Sequence, residues 1–307
     1  MVQKSSWRMK ESREHGFARL SVAGLILLLW PVLPAIYGAG PSFSPSREIA
    51  GAIRPVNSKA LARAAFYNEI EAQRRDHSLW CYQETKQENG QKKLYGVCQA
   101  TSGEIDRLLA VNSARLDVAQ QQAEDERIRA LLGNPRELSR EQKKHQQDDE
   151  QTRNLMRVFS QAFRFQDAGN EGGLVEVRFT PDPNFRPSTR AERVFHHLEG
   201  MLSIDRRQKR IAEIDGLLTS EVKFLGGLLG HLDKGGMFQV QRKDLGSGHW
   251  ELTRLHVQMT GKALIFKTID IQEDETWTDF RQEPSDTSLE QAFEELQQES
   301  VEKAQQQ

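Results

Sequence analysis

Cysteine is scarce in this chain, with two among 307 residues, and charge is nearly balanced, with 42 basic against 44 acidic side chains. Once the two cysteines pair with each other, no Cys/His ligand set is left for a structural metal. A net charge of −2 and a pI near 6.5 exert no global pull toward nucleic acid, so no nucleic-acid partner is expected. The phosphate-loop pattern G-x-x-x-x-G-K-[ST] is missing. Lys234 in the glycine-rich stretch is followed by Gly235 and then by a strand pattern, Met237–Gln241. There is no Glu-x-x-His pair and no G-x-S-x-G elbow; Gly246-Ser247-Gly248 reads as a turn. Asp205, Asp215 and Asp270 read as strand-end and turn carboxylates, and Trp250 and Trp277 as core. No catalytic residue, cofactor or metal ligand is expected, and the protein reads as non-enzymatic.

What is present begins with a leader. Leu20–Tyr37 carries no charge and follows Lys4, Arg8, Lys10, Arg13 and Arg19. A basic region followed by an apolar run directs export. The run is short for a membrane span and holds Pro31 and Pro34, which favours a cleaved signal over a retained anchor. Either way this N-terminal segment enters the inner membrane, and the body is expected in the periplasm or cell envelope.

An oxidising compartment agrees with the cysteines. Trp80–Thr85 and Leu94–Cys98 are aromatic and β-branched, and Asn89-Gly90 between them is a strong two-residue hairpin signal. With that turn, paired positions sum to 179, and so do 81 and 98. Cys81 and Cys98 then face each other at a non-hydrogen-bonded site, where Cα atoms lie about 4.5 Å apart, within disulfide reach.

Along the chain, residues 1–39 read as leader, 40–58 as a proline-bearing linker, 59–284 as one α+β domain, and 285–307 as a C-terminal helix with a polar tail. Ser58 is placed to cap a helix over Lys59 to about Asp76. An insert at about 116–165 reads as two helices, Gln120–Leu132 and about Ser139–Phe165, the first half of the second being solvated. From Val175 the period becomes two: Val177 and Phe179, then Leu202 and Ile204, mark one buried face. Further strands are expected over Ile211–Phe224, Met237–Gln241, Trp250–Met259 and Ala263–Gln272, with a turn at Thr260-Gly261-Lys262. Thr287 and Glu290 are spaced as a capping box for the last helix. Short strands without helices between them make an antiparallel sheet.

Within this region E-G-M-L-S-I-D-R-R-Q-K-R-I-A-E-I-D-G, E-V-K-F-L-G-G-L-L-G-H-L-D-K-G-G-M-F, G-H-W-E-L-T-R-L, G-K-A-L-I-F-K-T-I and W-T-D-F-R stand in order. Together they resemble the LolA/RseB-like superfamily of periplasmic proteins, closest to its outer-membrane lipoprotein-sorting-like branch, over about residues 174–281. The resemblance implies a strongly curved antiparallel sheet, an unclosed half-barrel around packed helices, with an apolar cavity for acyl chains. Val177, Phe179, Leu202 and Ile204, with Leu225, Leu228, Leu229 and Leu232 of the glycine-rich stretch, are the candidate cavity or lid residues. The expected partner is a lipid or an acylated lipoprotein. The alternatives are an RseB-like sensor contacting an envelope protein through its helical insert and, behind it, an envelope hydrolase.

Overall fold

The computed structural model describes residues 57–88, 90–224, 230–263 and 267–305. The leader, most of the linker, Asn89, and the candidate lid residues Leu225, Leu228 and Leu229 lie outside the described residues.

Helix α1 spans Ser58–Arg75. Its cap is one residue earlier than expected: Asn57 Oδ1 accepts from the Ala60 N–H at 3.0 Å, while Ser58 is buried in the first turn. Strands β1 (Leu79–Glu88) and β2 (Gln91–Ala100) pair with Cys81 opposite Cys98, and the two are disulfide-bonded with Cα atoms 4.1 Å apart. Strand β3 (Gly103–Val111) turns through Asn112 and Ser113, both at positive φ, into the short β4 (Ala114–Arg115).

The insert holds α2 (Val118–Leu132), opened by a capping box of Asp117 and Gln120, and α3 (Pro135–Ala162), capped by Asn134. The second helix was expected to reach Phe165; it stops at Ala162, and β5 (Phe163–Glu171) begins at once. The reason lies in the sheet. Phe163 and Phe165 are buried and Arg164 and Gln166 exposed, a period of two that the pairing with β6 (Leu174–Pro181) rewards.

A one-turn α4 (Arg190–Arg193) and a 3-10 turn lead into β7 (Leu198–Asp205) and β8 (Arg210–Leu218). The long strand expected over Ile211–Phe224 is two, because β9 (Val222–Phe224) leaves β8 to pair with β10 (Gly230–Leu232). Then come β11 (Met237–Asp244), β12 (Trp250–Ala263), β13 (Lys267–Glu283) and α5 (Leu289–Gln305). The turn expected at Thr260-Gly261-Lys262 is strand: Gly261 pairs with Ile269, and the connection falls at 264–266, outside the described residues. Gly261 reflects crowding instead. A Cβ there would stand 2.2 Å from the His231 carbonyl oxygen of β10. The cap of α5 is Ser288 with Gln291, one residue beyond the expected pair.

All thirteen strands among the described residues join one antiparallel sheet in the order β4-β3-β2-β1-β13-β12-β11-β8-β7-β6-β5, with β10 on the far end of β12 and β9 beside it. The sheet is not closed into a barrel, and four longer helices accompany it, an α+β architecture. Helices α1 and α3 cover one face, here the inner face, over β5, β7 and β8, where Phe66 and Phe159 stack at 4.9 Å on Phe163, Phe165 and Phe179. On the opposite face Cys81, Cys98 and Ile105 pack under Ile128 of α2 and Phe293 and Leu296 of α5.

Two inner rows cross the sheet side by side. One runs Val177, Leu202, Ile214, Val240, Leu255 and then Glu275; the other runs Phe179, Gly200, Gly216, Phe238, Val257 and then Glu273. The paired glycines make room for rings. A Cβ at Gly200 would stand 2.5 Å from Phe179 Cζ, and one at Gly216 would stand 2.2 Å from Phe238 Cε1.

Candidate functional site

Helix α1 places one charged residue, Glu69, on its buried face. A lone buried carboxylate is costly, so it must be paired. Arg210 of β8 binds it in a fork, Nε to Oε1 and Nη2 to Oε2, each at 2.9 Å. The Ile211 N–H donates at 2.8 Å, and Arg242 of β11 also donates to Oε2. Burial pushes the Glu69 carboxyl up, but the Arg242 charge and then Arg210 outweigh it and hold it below its ordinary value. Both guanidinium groups are spoken for: Arg210 also donates to the Gly248 carbonyl and Arg242 to that of Trp250. The cluster is a clamp that fixes α1 onto β8 and β11.

Beside the clamp a cavity of about 400 Å³ opens between the C-terminal end of α1, the middle of α3, and the inner faces of β1, β11, β12 and β13. Tyr82, Trp250, Leu252, Trp277 and Phe280 form the apolar part of its sheet wall beside Arg242 and Glu251, and α3 contributes His145, Asp149, Thr152 and Met156. Its size lies in the ordinary range for small-ligand sites, about 300–1,000 Å³. Trp250 and Trp277 are buried, as expected, yet both also line this space.

At one edge Asp76, Ser78 and His249 meet, the residue types of a hydrolase triad. His249 Nδ1 lies 3.0 Å from Asp76 Oδ2 and 3.4 Å from Ser78 Oγ. Carboxylate and hydroxyl thus share one ring nitrogen, whereas proton relay needs them on opposite nitrogens. Ser78 Oγ also donates to Asp76 and accepts from the Trp80 indole at 2.8 Å. Burial raises the Asp76 carboxyl, but the Ser78 and His249 hydrogen bonds outweigh it and lower it overall. The trio ends α1; it does not generate a nucleophile.

The inner face changes character at β13. Glu273 Oε2 is buried without a partner among the described residues, and burial pushes this carboxyl up to about 7. Nearby on β1, Lys86 is fully buried, 3.2 Å from Glu84 Oε2 and 4.5 Å above the Tyr95 ring. On the opposite face Asp215 stands in mid-strand rather than at a strand end. Burial, then Glu213, raises it to about 6. Asp270 is likewise within β13, whereas Asp205 does end its strand and accepts from the Gln208 N–H at 2.7 Å. Among the described residues no group of three or more His, Cys, Asp or Glu side chains could hold a metal ion, and no helix is long and apolar enough to cross a membrane.

Val177, Phe179, Leu202 and Ile204 do share one face, each with 0% exposure, but they are packed core under α1 and α3 and none lines the cavity. Leu232 is equally buried, where β10 meets β12. The cavity residues escaped sequence reading because their segments, around 69–82, 240–252 and 277–280, are far apart in the chain. They meet only in the folded sheet, through the Glu69–Arg242 and Asp76–His249 contacts and the β1–β13 seam.

No family model matches the chain, and no curated protein does. Among solved structures it is similar to a DUF1329 family protein from Desulfovibrio piger, at 7% identity over 74% of this chain and 93% of that one, with a TM-score of 0.27. A likeness at that score carries no argument about function.

Proposed function

We propose that this is a non-enzymatic cell-envelope protein of the LolA/RseB-like kind, which holds the acyl part of a lipid or acylated lipoprotein in the cavity under α1 and α3. The observation that carries this reading is the cavity's wall: Tyr82, Trp250, Trp277 and Phe280 on an unclosed sheet, roofed by two helices. Transfer of a chain from water to such a wall is favourable by about 0.8 kcal/mol for each CH₂ buried. The clamp at Glu69 keeps the roof in place without offering a free charge to the ligand. A second reading, an interaction module, draws on α2, of which only Ile128 is fully buried and whose outer side, including Val118, Gln122 and Glu126, is exposed to a partner.

Native mass spectrometry of the protein purified from the envelope that exports it tests the reading. A bound lipid mass is expected in the wild type. Ala72 of α1 lines the cavity and is half-buried. Ala72→Phe should fill the space and remove that mass while melting changes little. A wild type free of lipid, or a variant that keeps it, overturns the proposal and leaves the interaction module.

A further inference from the structure

We propose that the groove between α1 and α3, on the side turned away from the core, docks on the anionic phosphate headgroups of a phospholipid bilayer. The helices run antiparallel, since Phe66 meets Phe159 and Gln73 meets Asp149. Arg63, Tyr67, Ile70 and Arg74 recur along α1 at helical spacing, as Arg153, Arg157 and Ser160 do along α3, and together they line a groove of about 330 Å³.

Four guanidinium groups converge there against one carboxylate, Glu71, in a chain whose net charge is −2. Glu71 pairs with Arg74 at 3.0 Å, and Arg157 donates to Asn154 at 2.7 Å. Arg63 and Arg153 have no ion pair or hydrogen bond with another described residue. Like charges gathered in this way repel, and the packing of α1 on the sheet does not need them, because the buried face of that helix is Leu61, Ala62, Ala65, Phe66 and Glu69. Planar guanidinium forks match phosphate oxygens two at a time. Tyr67 stands 61% exposed in the same groove, an amphipathic ring of the kind that settles at headgroup depth.

A bilayer is the occupant favoured over a soluble acidic protein by what precedes α1. The uncharged run Leu20–Tyr37 reads as membrane-entering, so the body is released or held at a bilayer surface. Where the run is retained, the roughly 20 residues between it and α1 can span at most about 70 Å, enough for the tethered body to reach that surface.

The test is flotation of the full-length protein with phosphatidylcholine vesicles that contain or lack phosphatidylglycerol. The quantity read is the preference for the anionic vesicles. Binding through the leader is common to wild type and variant and cancels in a comparison of their preferences. Each arginine near an anionic surface contributes about 1 kcal/mol, or about fivefold. R63Q/R153Q should therefore reduce the preference about 25-fold at low salt and leave binding to neutral vesicles unchanged. R63Q/R157Q, which changes two exposed side chains, serves as the second pair should the first melt early. An undiminished preference in a folded variant overturns the proposal. So does its loss on adding inorganic phosphate at matched ionic strength, which would make the groove a site for a free anion. Ala72→Phe should keep the preference, so the cavity and the groove can fail separately.

Discussion

The two ends of the inner face are made of the same strand pattern and put to opposite use. Over β5 to β8 the rows are Val177 beside Leu202 beside Ile214, closed by rings from α1 and α3, with no polar group among them. At β13 the same rows end in Glu275 and Glu273, and β1 adds Glu84 and Lys86. Over β5 to β8 the helices lie directly on the sheet and the face is dry; toward β1 and β13 the same two helices roof a cavity, and the face carries charge. The alternation that defines a buried face therefore does not say whether that face is filled. The helices decide that.

The largest effect should come from the clamp between the two ends. Glu69→Ala would leave the buried Arg210, the half-buried Arg242 and one N–H without their carboxylate, a loss of about 3–5 kcal/mol, read by denaturant unfolding. A loss under about 1 kcal/mol would mean that water replaces the carboxylate and that the clamp belongs to the open end.

Next comes a direct contrast of rings. Phe179→Ala, in the dry end, should cost about 3–5 kcal/mol, because the Phe159 and Phe163 rings packed on it cannot collapse into the hole. Phe280→Ala, on the cavity wall, already borders empty space and should cost clearly less, below about 2 kcal/mol. Equal losses would erase the distinction between the ends.

The smallest expected effect is the most specific. Glu273 is held at about 7 against an ordinary 4.5, so the fold favours its neutral form. With the folded value raised, its contribution is full below pH 4.5 and is lost as pH rises toward 7, by at most about 3 kcal/mol. Glu273→Gln should flatten that slope and be the more stable form at pH 8, in melting curves taken across the window. A slope unchanged by the substitution would show that Glu273 finds water or a partner in solution.

The parts of this fold that local chemistry fixes were open to sequence reading. Asn89-Gly90 sets a register that puts Cys81 on Cys98, and the period-two runs of β6, β7 and β11 mark their buried sides. Misreadings occur where a distant strand overrides a local pattern. Phe159 and Phe163 stand four apart and read as one helix face until β6 captures Phe163. Thr260-Gly261-Lys262 has turn composition, yet β10 and β13 hold it extended. The site is less legible than the fold for the same reason. Glu69 and Arg210 are separated by 141 positions, and neither alone announces the other.

The seam between β1 and β13 has a consequence in time. It joins Leu79 to Glu283, so the first strand written into the chain waits for the last before either has both neighbours. Contacts so far apart in sequence are slow to form, and a lone hairpin is at best marginally stable in water. During that wait β1 and β2 are an exposed edge, open to pairing with the wrong chain. A Cys81–Cys98 bond formed at the hairpin stage would remove part of that hazard by locking the hairpin's register. A chain delivered to an oxidising compartment could thus acquire its crosslink early and its seam late, so that the disulfide would serve the order of assembly as well as the finished fold.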